Sequence, residues 1–523
     1  MRRSKPLKYL YYGMGFTLSF LIAYVVAGIP LIAPNEKIFF TALLFIAFSV
    51  SVIATASLIF RSDTERFWQV KRLDWVLLSI IVLCATYFLN QRYDLPITIG
   101  HSKTLIEAIR QGEFFHFYSL VYEKAIAGDY IFGTALDGAN YNIIVYLLLS
   151  AAVFPLWLLE QIFSISVSNY AYLVYIKTLF LAAYLFSGKL LFRFVKNMGF
   201  SELQGRNAAF LYLSSPILLL GNIALGQFDF INVAILICAL QFYVKGRNFI
   251  FSAVMSVAIA IKPFPVLAFI PLILLSEKKV WRILLHLAIG ASVSLITRLM
   301  FINDAGYELT KDFMTGHYGF LDRALAAKIG SDSLLVMGFV GLCVYAYALK
   351  TPASSSERTH RSIHLSLAAF SIFFAWAIWH PQWGAYIVLF VVLAILLSDN
   401  RKLMMLMACA FSFAFLVQTN LCCPHNVDNY MVNGGILPII FGRIYAGPTV
   451  SGIIMLLPHA DVIAKSVFCA LSLCFAFIAI RTSKAQPGLP SAAEGLEPGL
   501  VYTQLAMIAV CFVVYLSIYF LKP

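Results

Sequence analysis

The sequence predicts an all-α polytopic membrane protein, and three observations carry that prediction. Hydrophobic residues make up 61% of the 523 residues, the mean hydropathy is +0.85, and only 12% of the residues are charged. A soluble domain carries about 25% charged residues. The apolar residues also cluster in runs close to the roughly 20 residues with which an α-helix crosses a bilayer. Counting these runs, some of them short, predicts about 13–15 transmembrane helices.

The net charge of +13 is explained by membrane topology. Basic residues lie mainly in short connections between apolar runs, such as Arg61 to Arg72 and Lys245 to Arg247. Connections of this kind stay on the cytoplasmic side of a membrane, so we expect membrane lipids, and no nucleic acid, as partners. The same alternation predicts three extracytoplasmic segments, the first with short amphipathic helices in the interface: residues 91–140, 303–332 and 421–447.

One apolar run, residues 141–163, decides the orientation of everything that follows it. If this run crosses the membrane, the basic segment Lys189 to Arg206 falls outside and every later loop has the wrong charge bias. If it lies in the outer interface or re-enters it, the later loops obey the positive-inside rule. We choose the second interpretation.

The chain divides into three parts by composition. Residues 1–480 form one transmembrane domain. Residues 481–499 are rich in Pro, Gly and Ser and predict a flexible linker. Residues 500–523 predict a last transmembrane helix.

Two islands of polar and helix-breaking residues interrupt the apolar chain, at Gly226 to Phe230 and at Lys262 to Pro265. A charge in a membrane span costs several kcal/mol unless it is paired or hydrated, so Asp229 and Lys262 need an explanation. Either they form an ion pair that fixes two helix ends, or they serve a ligand site, and both interpretations stay open. The spans beside them are short and interrupted by proline, which indicates a binding site.

Under this topology the unusual polar residues gather on the outer face. They are Asp94, His101, Glu107, Gln227, Asp229, Lys262, Asp312, His317, His380, Gln382 and His425. Glu107, Asp312 and His425 are most simply solvated loop residues. His380 is either an interfacial anchor or a ligand-contacting donor. Arg298, at the outer end of a span, either snorkels to the surface or contacts a phosphate.

The order of these features resembles the membrane-embedded glycosyltransferases of the GT-C class. The resemblance covers residues 74–280, and the remainder is similar in hydropathy alone. It rests on a basic N-terminal span followed by these stretches: Ala108 to Tyr118 in the long outer loop, Tyr141-Asn142 at its end, Gly226-Gln227-Phe228-Asp229 at a span end, and Ile261-Lys262-Pro263 farther on.

The resemblance implies a GT-C-like bundle that transfers a hexose from a polyprenyl-phosphate sugar to a lipid-linked or glycan acceptor, with inversion at the anomeric carbon. Such a transfer needs a base for the acceptor hydroxyl and donors for the departing phosphate. The position where the class carries its catalytic acid falls on Thr98 here. The nearest acids are Asp94 and Glu107, and we choose Asp94 as the base.

The remaining expected roles divide between the two substrates. Lys262 and Arg298 are expected to bind the donor phosphate. The residues expected to contact sugar or acceptor are His101, Gln227, Asp229, His380 and Gln382. The chemistry demands neither a metal nor a cofactor. Short inner loops favour a bacterial inner membrane, with the site facing the periplasm.

Two other classes compete with this interpretation. A polysaccharide polymerase or ligase would share the outer site, but it should carry an Arg-rich outer loop. Residues 303–332 hold only Lys311, Arg323 and Lys328 as basic residues. A transporter or flippase of lipid-linked sugars should place its polar residues near the bilayer midplane, often in repeated broken helices. A non-catalytic scaffold would leave the Asp229 and Lys262 island without a purpose.

Overall fold

The structure is a computed structural model, and helices dominate the part of the chain that it describes. That part comprises residues 70–87, 94–128, 130–131, 134–135, 138–309, 328–329, 332–377, 379–422, 455, 458–484 and 496–521. The spans predicted before residue 70, Asp312, His317, His425, most of the predicted linker and nearly all of the third predicted outer segment lie outside it.

The helices follow one another through short connections. They are α1 (Arg72–Tyr87), α2 (Asp94–Gln111), α3 (Phe117–Ile126), α4 (Ile143–Phe163), α5 (Asn169–Asn197), α6 (Glu202–Leu213), α7 (Pro216–Leu218), α8 (Asp229–Val244), α9 (Asn248–Ile261), α10 (Val266–Ser276), α11 (Val280–Leu299), α12 (Leu334–Ala348), α13 (Ser355–Trp376), α14 (Gly384–Leu397), α15 (Arg401–Cys422), α16 (Ala460–Ser483) and α17 (Pro498–Leu521).

Three irregular turns and two small hairpins complete the described structure. A 3₁₀ turn, Phe114–His116, precedes α3, and another, Pro381–Trp383, precedes α14. Helix α7 continues into a π-helical segment, Leu219–Ala224, called the π-turn below. The hairpins are antiparallel pairs of two-residue strands, β1 (Tyr130–Ile131) with β2 (Thr134–Ala135) and β3 (Lys328–Ile329) with β4 (Asp332–Ser333).

The predicted fold class is confirmed: this is an all-α polytopic membrane protein. Among the described residues, six helices are long and apolar enough to cross a membrane, namely α4, α5, α11, α15, α16 and α17. Helices α6 and α7 with the π-turn form a bent pair that would make a seventh. Shorter apolar helices lie between them. The total of about 13–15 spans stays a prediction.

Contacts between helices define a basic end of the bundle. There Lys278 Nζ donates to the carbonyl oxygen of Tyr347 at 2.7 Å, and Arg358 donates to Asn248 Oδ1 at 3.1 Å. Tyr502 on α17 donates to Asp74 on α1 at 2.7 Å. The predicted cytoplasmic connections therefore meet at one end of the molecule, as the charge pattern requires.

Helix α4 begins and ends at the opposite end of the bundle. Its N-cap residue, Asn142, donates to Thr297 Oγ1 in the last turn of α11 at 2.7 Å. Near its C-terminus, Glu160 accepts a hydrogen bond from Tyr172, in the first turn of α5, at 2.5 Å. A helix of this length spans about 30 Å, so a crossing α4 would reach the end of α5 at Asn197 instead. These contacts support the interfacial interpretation of residues 141–163.

Candidate functional site

Side chains from separate parts of the sequence meet at the end of the bundle away from the basic connections. Gln227 Nε2 donates to Asp94 Oδ2 at 2.5 Å across 133 positions of sequence. Lys262 Nζ donates to Asp229 Oδ2 at 2.7 Å across 33 positions. These two contacts join the N-terminus of α2, the N-terminus of α8 and the C-terminus of α9. Four of the predicted site residues therefore form one cluster.

A sharp turn after the π-turn positions Gln227 and Asp229. Gly226 has φ +66°, a left-handed conformation that glycine adopts without steric cost. The N–H of Gln227 donates to the carbonyl oxygen of Asn222 at 2.8 Å and closes the turn. Helix α8 then starts at Asp229, so that the carboxylate lies in the first turn, where the helix dipole favours negative charge.

Proline determines where Lys262 leaves its helix. The residue before a proline is pushed to extended geometry, and Lys262 has φ −150° and ψ 142° at the end of α9. Its ammonium lies 4.7 Å from the ring centroid of Phe228 and 5.6 Å from that of Tyr141. Both rings favour a cation at this position. Lys262 thus lies between two aromatic faces and the Asp229 carboxylate.

Asp94 is the first residue of α2, and its side chain is half-buried. The amide of Gln227, itself only 2% exposed, holds Oδ2 of this carboxylate. A carboxylate that is oriented by a buried amide and still partly open to solvent is suited to act as a general base.

The turn before α14 forms the neighbouring wall. Asn222 Nδ2 donates to the backbone carbonyl of Gln382 at 3.2 Å. The ring of His380 lies 4.9 Å from that of Trp383, which packs 4.5 Å from Phe264 in the Lys262 to Pro265 island. The predicted residues His380 and Gln382 therefore border the cluster, and the contact that the structure gives Gln382 uses its backbone.

His101 and Arg298 lie farther along the first outer segment. His101 is buried on α2 and meets the ring of Tyr146 edge-to-face at 5.5 Å. Arg298 is exposed in the last turn of α11, directly after Thr297, whose bond to Asn142 ties α11 to α4. Burial raises the pKa of the Tyr118 hydroxyl, and the nearby Arg298 guanidinium opposes that shift.

Burial revises the expected roles of four residues. Asp229 is fully buried, Gln227 and His101 are 2% exposed, and Lys262 is 5% exposed. In this conformation a sugar or a phosphate does not reach these side chains, because protein groups already surround them. Of the two interpretations of Asp229 and Lys262, the structure shows the ion pair. The exposed candidates are Asp94, in part, and Arg298.

Sequence reasoning missed Asp304, which ties the first two outer segments together. This buried carboxylate accepts hydrogen bonds from the backbone N–H groups of Tyr118 at 2.9 Å and Ser119 at 3.0 Å, in the first turn of α3. It also accepts the Ser119 hydroxyl. Gly306 allows the approach, since a β-carbon there would lie 2.3 Å from the Ser119 nitrogen. An Asp in a loop gives no signal of so distant a partner.

Lys177 was also missed, although the sequence carries a signal for it. It is the lysine within the apolar first half of α5 and is only 4% exposed. Phe180, one turn away, packs against Phe230 with ring centroids 5.8 Å apart. An ionisable residue inside an apolar span is by itself an indication of a functional or paired position.

Metal chemistry has no evident site among the described residues. No group of three or more His, Cys, Asp and Glu side chains in that part of the chain is placed to hold a metal ion. Comparison with known proteins adds no assignment: no protein-family model matches the chain, and no curated protein matches it. Any function proposed for this protein therefore rests on the residues of the site.

Proposed function

We propose that this protein is an inverting glycosyltransferase that moves a hexose from a polyprenyl-phosphate donor to a lipid-linked or glycan acceptor. The observation that carries the proposal is the meeting of Asp94 with Gln227 beside the pair of Asp229 and Lys262. A carboxylate base and a rigid polar support are what such a transfer requires at a membrane rim.

In this mechanism Asp94 takes the proton of the acceptor hydroxyl. The acceptor oxygen attacks the anomeric carbon from the face opposite the phosphate, and the bond to the phosphate oxygen breaks with its electron pair on the lipid phosphate. A single displacement of this kind inverts the configuration. Gln227 holds one carboxylate oxygen of Asp94, which directs the other oxygen toward the acceptor.

The two cations take different roles. Arg298 is exposed and is the proposed ligand of the donor phosphate, for which a guanidinium is well shaped. Lys262 is buried and engaged with Asp229, so we assign it a positioning role. By fixing the N-terminus of α8, the pair holds the turn that carries Gln227.

The arrangement of α2 and α4 fits a substrate whose lipid stays in the membrane. Both helices pack beside each other at the end of the bundle that carries the site. A polyprenyl chain would lie in the bilayer, while its phosphate reaches the interface. We propose a bacterial inner membrane and a site that faces the periplasm.

The test is a transfer assay with purified protein in lipid nanodiscs and a panel of radiolabelled polyprenyl-phosphate sugars. Asp94→Asn should lower kcat by about 10²–10⁴-fold, the range for loss of a general base. Glu107→Gln is the matched control, because Glu107 lies on the same helix and pairs with Lys124 at 3.0 Å. The proposal fails if folded Asp94→Asn protein turns over normally, or if Glu107→Gln is equally inactive.

One observation favours a transporter of lipid-linked sugars as the second candidate. Helix α6 and the α7 segment with its π-turn are bent by 42° at a break, and broken helices are common at transport sites. Proteoliposomes loaded with a fluorescent polyprenyl-phosphate sugar separate the two functions. Movement of the lipid between leaflets without a glycosylated product would support transport, and a product whose formation depends on Asp94 would support transfer.

A further inference from the structure

Three buried oxygen atoms beside the ion pair receive no hydrogen bond from any residue that the structure describes. They are Asn222 Oδ1, Asp229 Oδ1 and Asn232 Oδ1. Each of these side chains is 0% exposed. A buried acceptor without a donor is costly, and native proteins supply the donor from protein or from ordered water.

The three oxygens belong to side chains that face one region. Asn222 contacts Gln382 and Asn232 contacts Tyr386 through hydrogen bonds of 3.2 and 2.9 Å. Gln382 and Tyr386 are one helical turn apart where α14 begins. Asp229 precedes Asn232 by three positions on α8, which places both on one helix face. The region is therefore enclosed by the π-turn, α8 and the start of α14.

Reassigning the Asn232 amide does not remove the problem. Its Nδ2 group donates twice, to the Ala258 carbonyl at 3.1 Å and to the Tyr386 hydroxyl at 2.9 Å. Exchanging nitrogen and oxygen would place an acceptor against the Ala258 carbonyl oxygen. The oxygen is thus directed correctly and needs a donor from outside the protein chain.

We propose that this region is an internal water-binding site, occupied by more than one molecule because a single water donates only two hydrogen bonds. A cation such as Na⁺ would also suit three oxygens. However, Lys262 Nζ already lies 2.7 Å from the other oxygen of the Asp229 carboxylate. Two cations on one buried carboxylate repel each other strongly at low dielectric. Water supplies the missing donors without that repulsion, and the site does not depend on the transferase proposal.

X-ray hydroxyl-radical footprinting of the whole protein in nanodiscs tests this site, because radicals form from water next to the side chain that they modify. Tyr386 and Phe390 form a matched pair: both are aromatic, 0% exposed and on α14, one turn apart. Phe390 packs on Phe370 with centroids 5.5 Å apart. Tyr386 should be modified several-fold faster than Phe390. Equal rates would show that the region is dry and would overturn the proposal.

Two further arms complete the test. Asn232→Leu removes one oxygen and fills space, so modification of Tyr386 should fall toward that of Phe390. Asn222→Leu takes its place if the first variant does not fold, as judged by size-exclusion chromatography. Repeating the measurement with Na⁺ replaced by N-methylglucamine should leave the rate at Tyr386 unchanged. A rate that changes with Na⁺ would assign the site to a cation and refute the water proposal.

Discussion

The buried pair of Asp229 and Lys262 should contribute far more to stability than an exposed pair of similar length. Its atoms are 2.7 Å apart, and the side chains are 0% and 5% exposed. Removing one partner leaves an uncompensated buried charge and costs about 3–5 kcal/mol. Asp229→Asn and Lys262→Met should each lower the free energy of unfolding by that amount. The double variant should recover much of the loss, because neither charge is then left alone.

The assay is a double-mutant cycle on purified protein unfolded in mixed detergent micelles and followed by tryptophan fluorescence. We expect a coupling energy above about 2 kcal/mol for this pair. The control is the pair of Glu202 and Arg206, 2.6 Å apart on the surface of α6 with side chains 56% and 60% exposed. Exposed pairs at this spacing contribute about 0.3–0.5 kcal/mol.

A coupling energy for the buried pair no larger than that of the control would refute the reasoning. It would mean that solvent reaches Asp229 and Lys262 and that burial does not strengthen their attraction. The position of Gln227 would then need another explanation, because the proposed support for its turn would be too weak.

Three further predictions follow from particular contacts. Asp304→Ala removes the acceptor for the first turn of α3 and should cost about 1–3 kcal/mol, visible as faster hydrogen exchange confined to α3; unchanged exchange there would contradict it. Gly221→Ala places a β-carbon 2.5 Å from the backbone before α14 and should lower the Tm, whereas Gly341→Ala, with open space around it, should not; equal Tm values would show that this approach is not tight. In a cysteine-free background, membrane-impermeant maleimide should label Glu113→Cys in spheroplasts and Lys402→Cys only after permeabilisation, and the reverse pattern would overturn the topology.

The helical content and the division of the chain into two ends could be predicted from sequence, because both depend on local properties. A run of apolar residues forms a helix in a membrane whatever its neighbours, since its backbone must satisfy its own hydrogen bonds. Short basic loops stay on one side for an equally local reason. The residues singled out for the site, from Asp94 to Gln382, accordingly lie near one another at the same end.

The roles of those residues depended on contacts that sequence patterns do not encode. Whether Lys262 faces a ligand or a carboxylate is a matter of which side chain occupies the few ångströms around its ammonium, and here that side chain is Asp229. Residues 141–163 are equally apolar whether they cross the membrane or lie along its surface.

What the sequence by itself determined is an all-α membrane protein with polar residues concentrated near a few helix ends, because hydropathy and helix breaking act over short distances. Only the tertiary structure decided that Gln227 supports Asp94, that Asp304 caps α3 and that Lys177 is buried. Each of these depends on segments far apart in the chain, brought together by the packing of the helices, and burial is a property of the packed bundle and not of any residue alone.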